Sequence, residues 1–127
     1  MSGRACGRLV SDELPKDDLR RAYYYSFMPN LLLSIHPDYV NFYIIHPISV
    51  DWTIVESEWL FHTDTVKDPK NNMKDGIDFW DMTNRQDWEI IERGQLGITS
   101  KSYTPGPYSP RESIPAAWDR HYLQLMK

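Results

Sequence analysis

Short apolar runs broken by turn signals dominate the first half of the chain. Residues 23–61 are rich in Tyr, Phe, Ile, Val and Trp, and proline-containing turn sequences interrupt them. Aromatic and β-branched runs of this length predict strands, and proline argues against a continuous helix. The predicted strands lie near 23–28, 31–36, 39–46 and 51–61. Because the turns between them are short, the sheet is predicted to be antiparallel.

A helical period replaces this pattern in the second half. After a polar segment at 62–72, which predicts a loop, the apolar spacing predicts a helix from about Met73 to Leu96. Ser109–Glu112 fits a capping box, so a second helix begins there or, because Pro115 would otherwise lie too deep, near Ser113. Strands followed by helices predict an α+β fold with both helices packed on the antiparallel sheet.

The first residues differ from the rest. Residues 1–22 contain two glycines, a proline and a charged run, and no apolar segment of signal-peptide length. We expect a frayed terminus there. The predicted division is therefore a weakly structured segment at 1–22 and a folded portion at 23–127.

Composition excludes several classes of function. The net charge is −4, and acids and bases are mixed along the 127 residues, which offers no basic surface for nucleic acid and no polybasic membrane anchor. The apolar stretches are too short to span a bilayer. The single cysteine, Cys6, excludes an internal disulfide and any multi-cysteine zinc or iron–sulfur site. The cytoplasm is the default location.

One acid lies out of place on the predicted long helix. On a wheel of about 100° per residue, Asp87 is the only charged residue of the apolar half, which it shares with Trp80, Trp88 and Ile91. An isolated carboxylate in a core costs several kcal/mol. Asp87 therefore needs a hydrogen-bonding or arginine partner, a proton that neutralises it, or a metal ion.

These residues also carry a resemblance. The run DWEIIERGQLG, from Asp87 to Gly97, is followed by YTPGPYSPRES, and PNLLLSIHPDYVNFYIIHP precedes both. Together they resemble the C-terminal part of the catalytic domain of Rieske-type aromatic-ring-hydroxylating oxygenase α subunits, over residues 23–126. Within this family, the sequence most resembles the glycine-betaine or quaternary-amine branch. The resemblance implies part of a helix-grip (START-like) domain, in which a long helix crosses a curved antiparallel sheet.

The resemblance also implies a metal site. In this family a mononuclear non-haem Fe(II) is held by two histidines and one carboxylate, and Asp87 lies at the carboxylate position. Asn84, Trp80 and Trp88 would line the substrate pocket, and Asn84 could instead hydrogen bond to the carboxylate. Packing between helix and sheet is the alternative for each of the three.

Most of that site is not found in the sequence. The family's histidine ligands lie in an Asp/Glu-x2-His-x4-His pattern, which His36, His46, His62 and His121 do not form. Cys6 alone cannot hold a [2Fe–2S] Rieske cluster. One of three iron ligands is present. The expected function is thus a C-terminal fragment of an oxidoreductase, inactive alone.

The resemblance implies the remaining chemistry and partners. In the whole enzyme, electrons pass from NAD(P)H through a reductase or ferredoxin to the Rieske cluster and the iron, which uses O₂ to hydroxylate or oxidatively demethylate a small organic substrate. The partners would be the rest of the α subunit or further copies, since the family forms trimers. Two alternatives remain: a stand-alone helix-grip module for a small apolar ligand, and a local metal site of Asp87 with His36 or His46.

Overall fold

The computed structural model of the chain describes residue 2 and residues 4–127. The chain divides into two compact units, Met1–Glu92 and Arg93–Lys127. The first unit contains the whole sheet and most of a long helix, and the second contains a C-terminal helix.

The sheet is an antiparallel meander of four strands in the order β1-β2-β3-β4. The strands are β1 (Tyr23–Phe27), β2 (Leu31–Ile35), β3 (Tyr39–Pro47) and β4 (Thr53–Phe61). All four lie where the aromatic and β-branched runs predict them, and the proline-containing segments form the turns. The antiparallel α+β fold predicted from the sequence is therefore confirmed.

One face of the sheet carries most of the buried residues. Side chains alternate along a strand, so Tyr39, Asn41 and Tyr43 of β3 share a face. Tyr39 and Asn41 are buried there. In the register of the sheet, Asn41 pairs with Ser34 of β2 on one side and with Trp59 of β4 on the other. The core thus forms around the start of β3, the longer of the two inner strands.

Four helical segments complete the described part of the chain. They are a 3-10 turn (Lys16–Arg20), α1 (Thr63–Lys67), α2 (Met73–Ile98) and α3 (Ser113–Leu125). The loop predicted at 62–72 is wrong in part, because α1 lies within it. Its N-terminus is capped by His62, whose Nδ1 accepts a hydrogen bond of 3.1 Å from the backbone N–H of Asp64.

The helix of the second unit begins at the later of the two predicted positions, Ser113. Half of the predicted capping box is nevertheless formed, because the Glu112 carboxylate accepts a 2.6 Å hydrogen bond from the backbone N–H of Ser109. This bond holds the pKa of Glu112 below its ordinary value. Pro115 lies in the first turn of α3, where a missing N–H costs little.

The frayed terminus expected before β1 is wrong. Cys6 is only 4% exposed, and its backbone N–H donates a 2.6 Å hydrogen bond to the carboxylate of Asp38. The backbone N–H of Val10 donates to the carbonyl of Pro37 at 2.8 Å. The segment is ordered because the β2–β3 turn presents two acceptors to its backbone, a long-range pairing that a local pattern does not reveal.

Candidate functional site

Helix α2 is attached to the sheet through Trp80. The indole Nε1 donates a 2.9 Å hydrogen bond to the hydroxyl of Tyr39, and the ring meets His36 and Tyr43 edge to face, with centroids 5.8 and 6.5 Å apart. These contacts make Trp80 part of the helix–sheet core, the alternative that the sequence left open for it.

Asn84 follows one turn later and also faces the sheet. Its amide Nδ2 donates a 3.1 Å hydrogen bond to the Tyr43 hydroxyl. The described contact therefore connects α2 with β3. The hydrogen bond from Asn84 to the Asp87 carboxylate stays a prediction.

Asp87 lies exposed on α2, and its predicted burial is wrong. Every residue of the helix from Arg85 to Glu92 is exposed, including the apolar Trp88 and Ile91, which are 40% and 64% exposed. An ideal helix places Asp87 within about 20° of Trp80, on the sheet-facing side. The helical wheel thus identifies which side of α2 faces the sheet. Burial of Asp87 also requires side chains of the sheet directly opposite it.

The contacts of α2 with the sheet follow a single strand. Trp80 bonds to Tyr39, and Asn84 bonds to Tyr43, four residues further along β3. The described helix–sheet contacts run from Gly76 to Asn84. Beyond them an apolar stripe with Asp87 at its centre stands uncovered.

Each histidine of the first unit makes its contacts away from Asp87. His36 stacks on Tyr39 with ring centroids 4.3 Å apart, and burial lowers its pKa. His46 pairs with Glu56 at 3.1 Å on the sheet, and His62 caps α1. His121 belongs to α3, in the second unit.

Among residue 2 and residues 4–127, no group of three or more His, Cys, Asp or Glu side chains could hold a metal ion. The residues of this chain therefore do not by themselves fit the iron site that the resemblance implies. A pairing of Asp87 with His36 is also opposed by the packing of that ring beneath Trp80.

A cavity of about 560 Å³ lies elsewhere in the first unit and was not predicted. It is lined by the N-terminal segment, the β2–β3 turn and the start of α2, among them Cys6, Asp38, Tyr39 and Phe79. Burial raises the pKa of Tyr39 to about 12, and burial together with the nearby Asp38 carboxylate raises the pKa of the Cys6 thiol. The sequence feature that marks this cavity is the HPDY segment of the β2–β3 turn, which the sequence analysis interpreted only as a turn.

None of the helices in the described part of the chain is both long enough and apolar enough to cross a membrane.

Comparison with known proteins identifies the relatives of this chain. A family model described as "Ring hydroxylating alpha subunit (catalytic domain)" matches residues 4–127. That match includes most of the segment that the sequence analysis set apart at 1–22.

The curated relatives include two glycine betaine monooxygenase oxygenase subunits. The one from Pseudomonas aeruginosa (strain UCBPP-PA14) is 39% identical over 72 residues, which cover 57% of this chain and 17% of the relative. The one from Chromohalobacter salexigens is 29% identical over 117 residues, which cover 86% of this chain and 24% of the relative. The chain thus spans about a fifth of the length of the curated relatives it matches. It belongs to the family of ring-hydroxylating α subunits, of which it matches the catalytic domain.

Proposed function

We propose that this chain is the C-terminal part of an oxygenase catalytic domain and supplies Asp87 as one ligand of an iron site that residues outside the chain complete. The observation that carries the proposal is the position of Asp87. It is an exposed carboxylate on the sheet-facing side of α2, within an uncovered apolar stripe. A stripe of that kind is expected where further protein covers it.

The apolar neighbours define what the covered site would provide. Ile91 lies one turn after Asp87 on the same side of α2, and Trp88 follows Asp87 directly, about 100° further around the helix. Once covered, they would exclude water around the carboxylate and form part of a pocket wall. Asn84, held by the Tyr43 hydroxyl, fixes the turn of helix before Asp87.

The chain alone is proposed to be inactive. One carboxylate cannot bind Fe(II) tightly, because affinity requires the full set of ligands in the right geometry. A single cysteine cannot hold a [2Fe–2S] cluster, so electrons from NAD(P)H, delivered by a reductase or ferredoxin, would enter through the rest of the α subunit or another copy of it. When bound, the iron would supply O₂ activation for hydroxylation or oxidative demethylation. The relatives are glycine betaine monooxygenase subunits, which supports glycine betaine as the class of substrate.

A chimera tests the proposal. Residues 4–127 would replace the matched region of the Chromohalobacter salexigens relative, and iron per chain would be measured by elemental analysis after purification. We expect the chimera to hold iron and the Asp87→Asn chimera to lose it. The matched control is Asp81→Asn, which changes an exposed acid on the same helix that pairs with Arg85 at 2.9 Å and should leave the iron in place. Undiminished iron in the Asp87→Asn chimera, or no iron in the unmodified chimera, would overturn the proposal.

A second function, a stand-alone module for a small ligand, is favoured by the cavity of about 560 Å³. Its volume lies in the range of ligand pockets, and Asp38 supplies a polar group within mostly apolar walls. Saturable binding of an apolar fluorophore, lost in Phe79→Asp but kept in Ile91→Asp, would support it. Binding that Ile91→Asp removes instead would place the ligand on the uncovered stripe.

A further inference from the structure

Two buried polar atoms of opposite hydrogen-bonding character lie on neighbouring strands. Asn41 of β3 is 0% exposed, and its Oδ1 accepts no hydrogen bond within the described residues. The indole Nε1 of Trp59 on β4 is likewise buried and donates none there. The two residues are direct partners in the β3–β4 register, so their side chains leave the same face of the sheet side by side.

The orientation of the Asn41 amide is fixed by its other end. Its Nδ2 donates hydrogen bonds to the backbone carbonyl of Glu58 at 3.1 Å and to the hydroxyl of Ser57 at 3.4 Å. Rotating the amide by 180° would place Oδ1 against the Glu58 carbonyl, acceptor against acceptor. The unpaired atom is therefore an acceptor, opposite the unpaired indole donor.

We propose that a single water molecule is bound between the side chains of Asn41 and Trp59 and bridges them. It accepts a hydrogen bond from the Trp59 indole and donates one to Asn41 Oδ1. A cation cannot satisfy the indole N–H and an anion cannot satisfy the amide oxygen, so the ligand is a neutral molecule that both donates and accepts. A buried polar atom without a hydrogen-bond partner destabilises the fold, and a bridging water would remove that cost for both atoms.

The bridge has a structural consequence. The direct Asn41–Glu58 hydrogen bond and the water would join β3 to β4 twice on the face that carries Tyr39 and Tyr43, the residues that contact α2. The water would therefore be a fixed part of the platform on which α2 rests, not of the bulk solvent.

Water-selective nuclear magnetic resonance on the full chain tests the site directly. In a ¹⁵N-edited rotating-frame Overhauser spectrum, the sequentially assigned Trp59 indole proton should show a cross-peak to a long-lived water. Trp52, which is 64% exposed, should show only the signature of rapidly exchanging solvent. The Trp59 cross-peak should persist in Ser57→Ala, which removes the hydroxyl 3.4 Å from Asn41 Nδ2 as a possible relay of magnetisation. Absence of the Trp59 cross-peak, or its loss in Ser57→Ala, would overturn the proposal.

An isosteric replacement gives a second readout. Benzothienylalanine has the shape of tryptophan without the N–H donor. At position 59 it should lower the folding equilibrium constant roughly tenfold, because it removes a satisfied hydrogen bond. The same replacement at position 52 should leave that constant unchanged. If the Trp59 N–H has no partner, the replacement at 59 will leave stability unchanged or raise it, which contradicts a bound water.

Discussion

The indole of Trp80 on α2 donates a 2.9 Å hydrogen bond to the hydroxyl of Tyr39, the first residue of β3. Tyr39 is only 7% exposed, and its ring also lies against the Cα of Gly76, one turn before Trp80. Two successive turns of α2 therefore rest on one aromatic side chain of the sheet. This contact sets where the helix begins its path over the sheet and hence where Asp87 lies.

Removing the Trp80 donor should destabilise the fold. Trp80→Phe deletes the indole N–H and leaves the buried Tyr39 hydroxyl without this donor, so we expect a loss of about 1–3 kcal/mol in the free energy of unfolding. Urea denaturation followed by circular dichroism measures it. Trp52→Phe, at an exposed position, is the control and should change stability by less than about 0.5 kcal/mol. Equal effects of the two substitutions would contradict the contact.

Two glycines of α2 should respond to alanine in opposite directions. A Cβ at Gly76 would lie 2.9 Å from Cys6 Sγ and 3.5 Å from the Tyr39 ring, so Gly76→Ala should cost about 1–3 kcal/mol of stability. A Cβ at Gly94 meets no atom within 4 Å, and Gly94→Ala should stabilise by about 0.5–1 kcal/mol through helix propensity. Thermal unfolding of both variants measures the difference.

A second substitution, at Cys6, can check the stability loss predicted for Gly76→Ala. Because the close atom is Cys6 Sγ, adding Cys6→Ala to Gly76→Ala should recover part of the loss. If the double variant is as unstable as the sum of the two single variants, Cys6 does not pack against the start of α2.

The docked N-terminal segment should protect its thiol. Cys6 is buried with a raised pKa, so a disulfide reagent at mildly alkaline pH should react with it much more slowly in the native chain than in urea. Asp38→Ala removes the acceptor for the Cys6 backbone N–H and should speed the native reaction roughly tenfold through local opening. A native thiol that reacts at the unfolded rate would show that the segment is not held.

Stability should fall as pH drops below the ordinary pKa of histidine. Burial lowers the pKa of His36 from 6.5, against the opposing charge of Asp38, so the unfolded chain binds a proton that the folded chain takes up only at lower pH. The stability contributed by neutral His36 is present above pH 6.5 and is lost as pH falls from there toward the folded-state pKa. His36→Phe should flatten the pH dependence of the urea midpoint in this window. Equal slopes for the native chain and His36→Phe would contradict this.

The elements that could be predicted from sequence are those whose signals are local. Proline and aromatic or β-branched runs located all four strands, and apolar spacing located α2 from Met73. The docking of Cys6 on Asp38 could not be predicted, because it joins residues 32 apart through a backbone N–H. For the same reason no pattern in either strand revealed that Asn41 and Trp59 would be partners in the β3–β4 register.

The burial of Asp87 shows a different kind of error. The wheel correctly identified the apolar side of α2, but it assumed that a complete layer of protein covers that side. In the described residues the layer ends near Tyr43, so Asp87, Trp88 and Ile91 stand exposed. Periodicity predicts the side on which a helix buries residues but not how far along the helix that burial extends.

The central claim, that this chain carries one ligand of an iron site it cannot complete, is tested most directly by iron binding to the chain alone. Purified chain would be titrated with Fe(II) under anaerobic conditions, and bound iron measured after desalting, in parallel with Asp87→Asn. We expect no stoichiometric iron in either protein, because the described residues contain no group of three or more His, Cys, Asp or Glu side chains that could hold a metal ion. One tightly bound iron per chain that disappears in Asp87→Asn would contradict the claim and would show a complete metal site within these 127 residues.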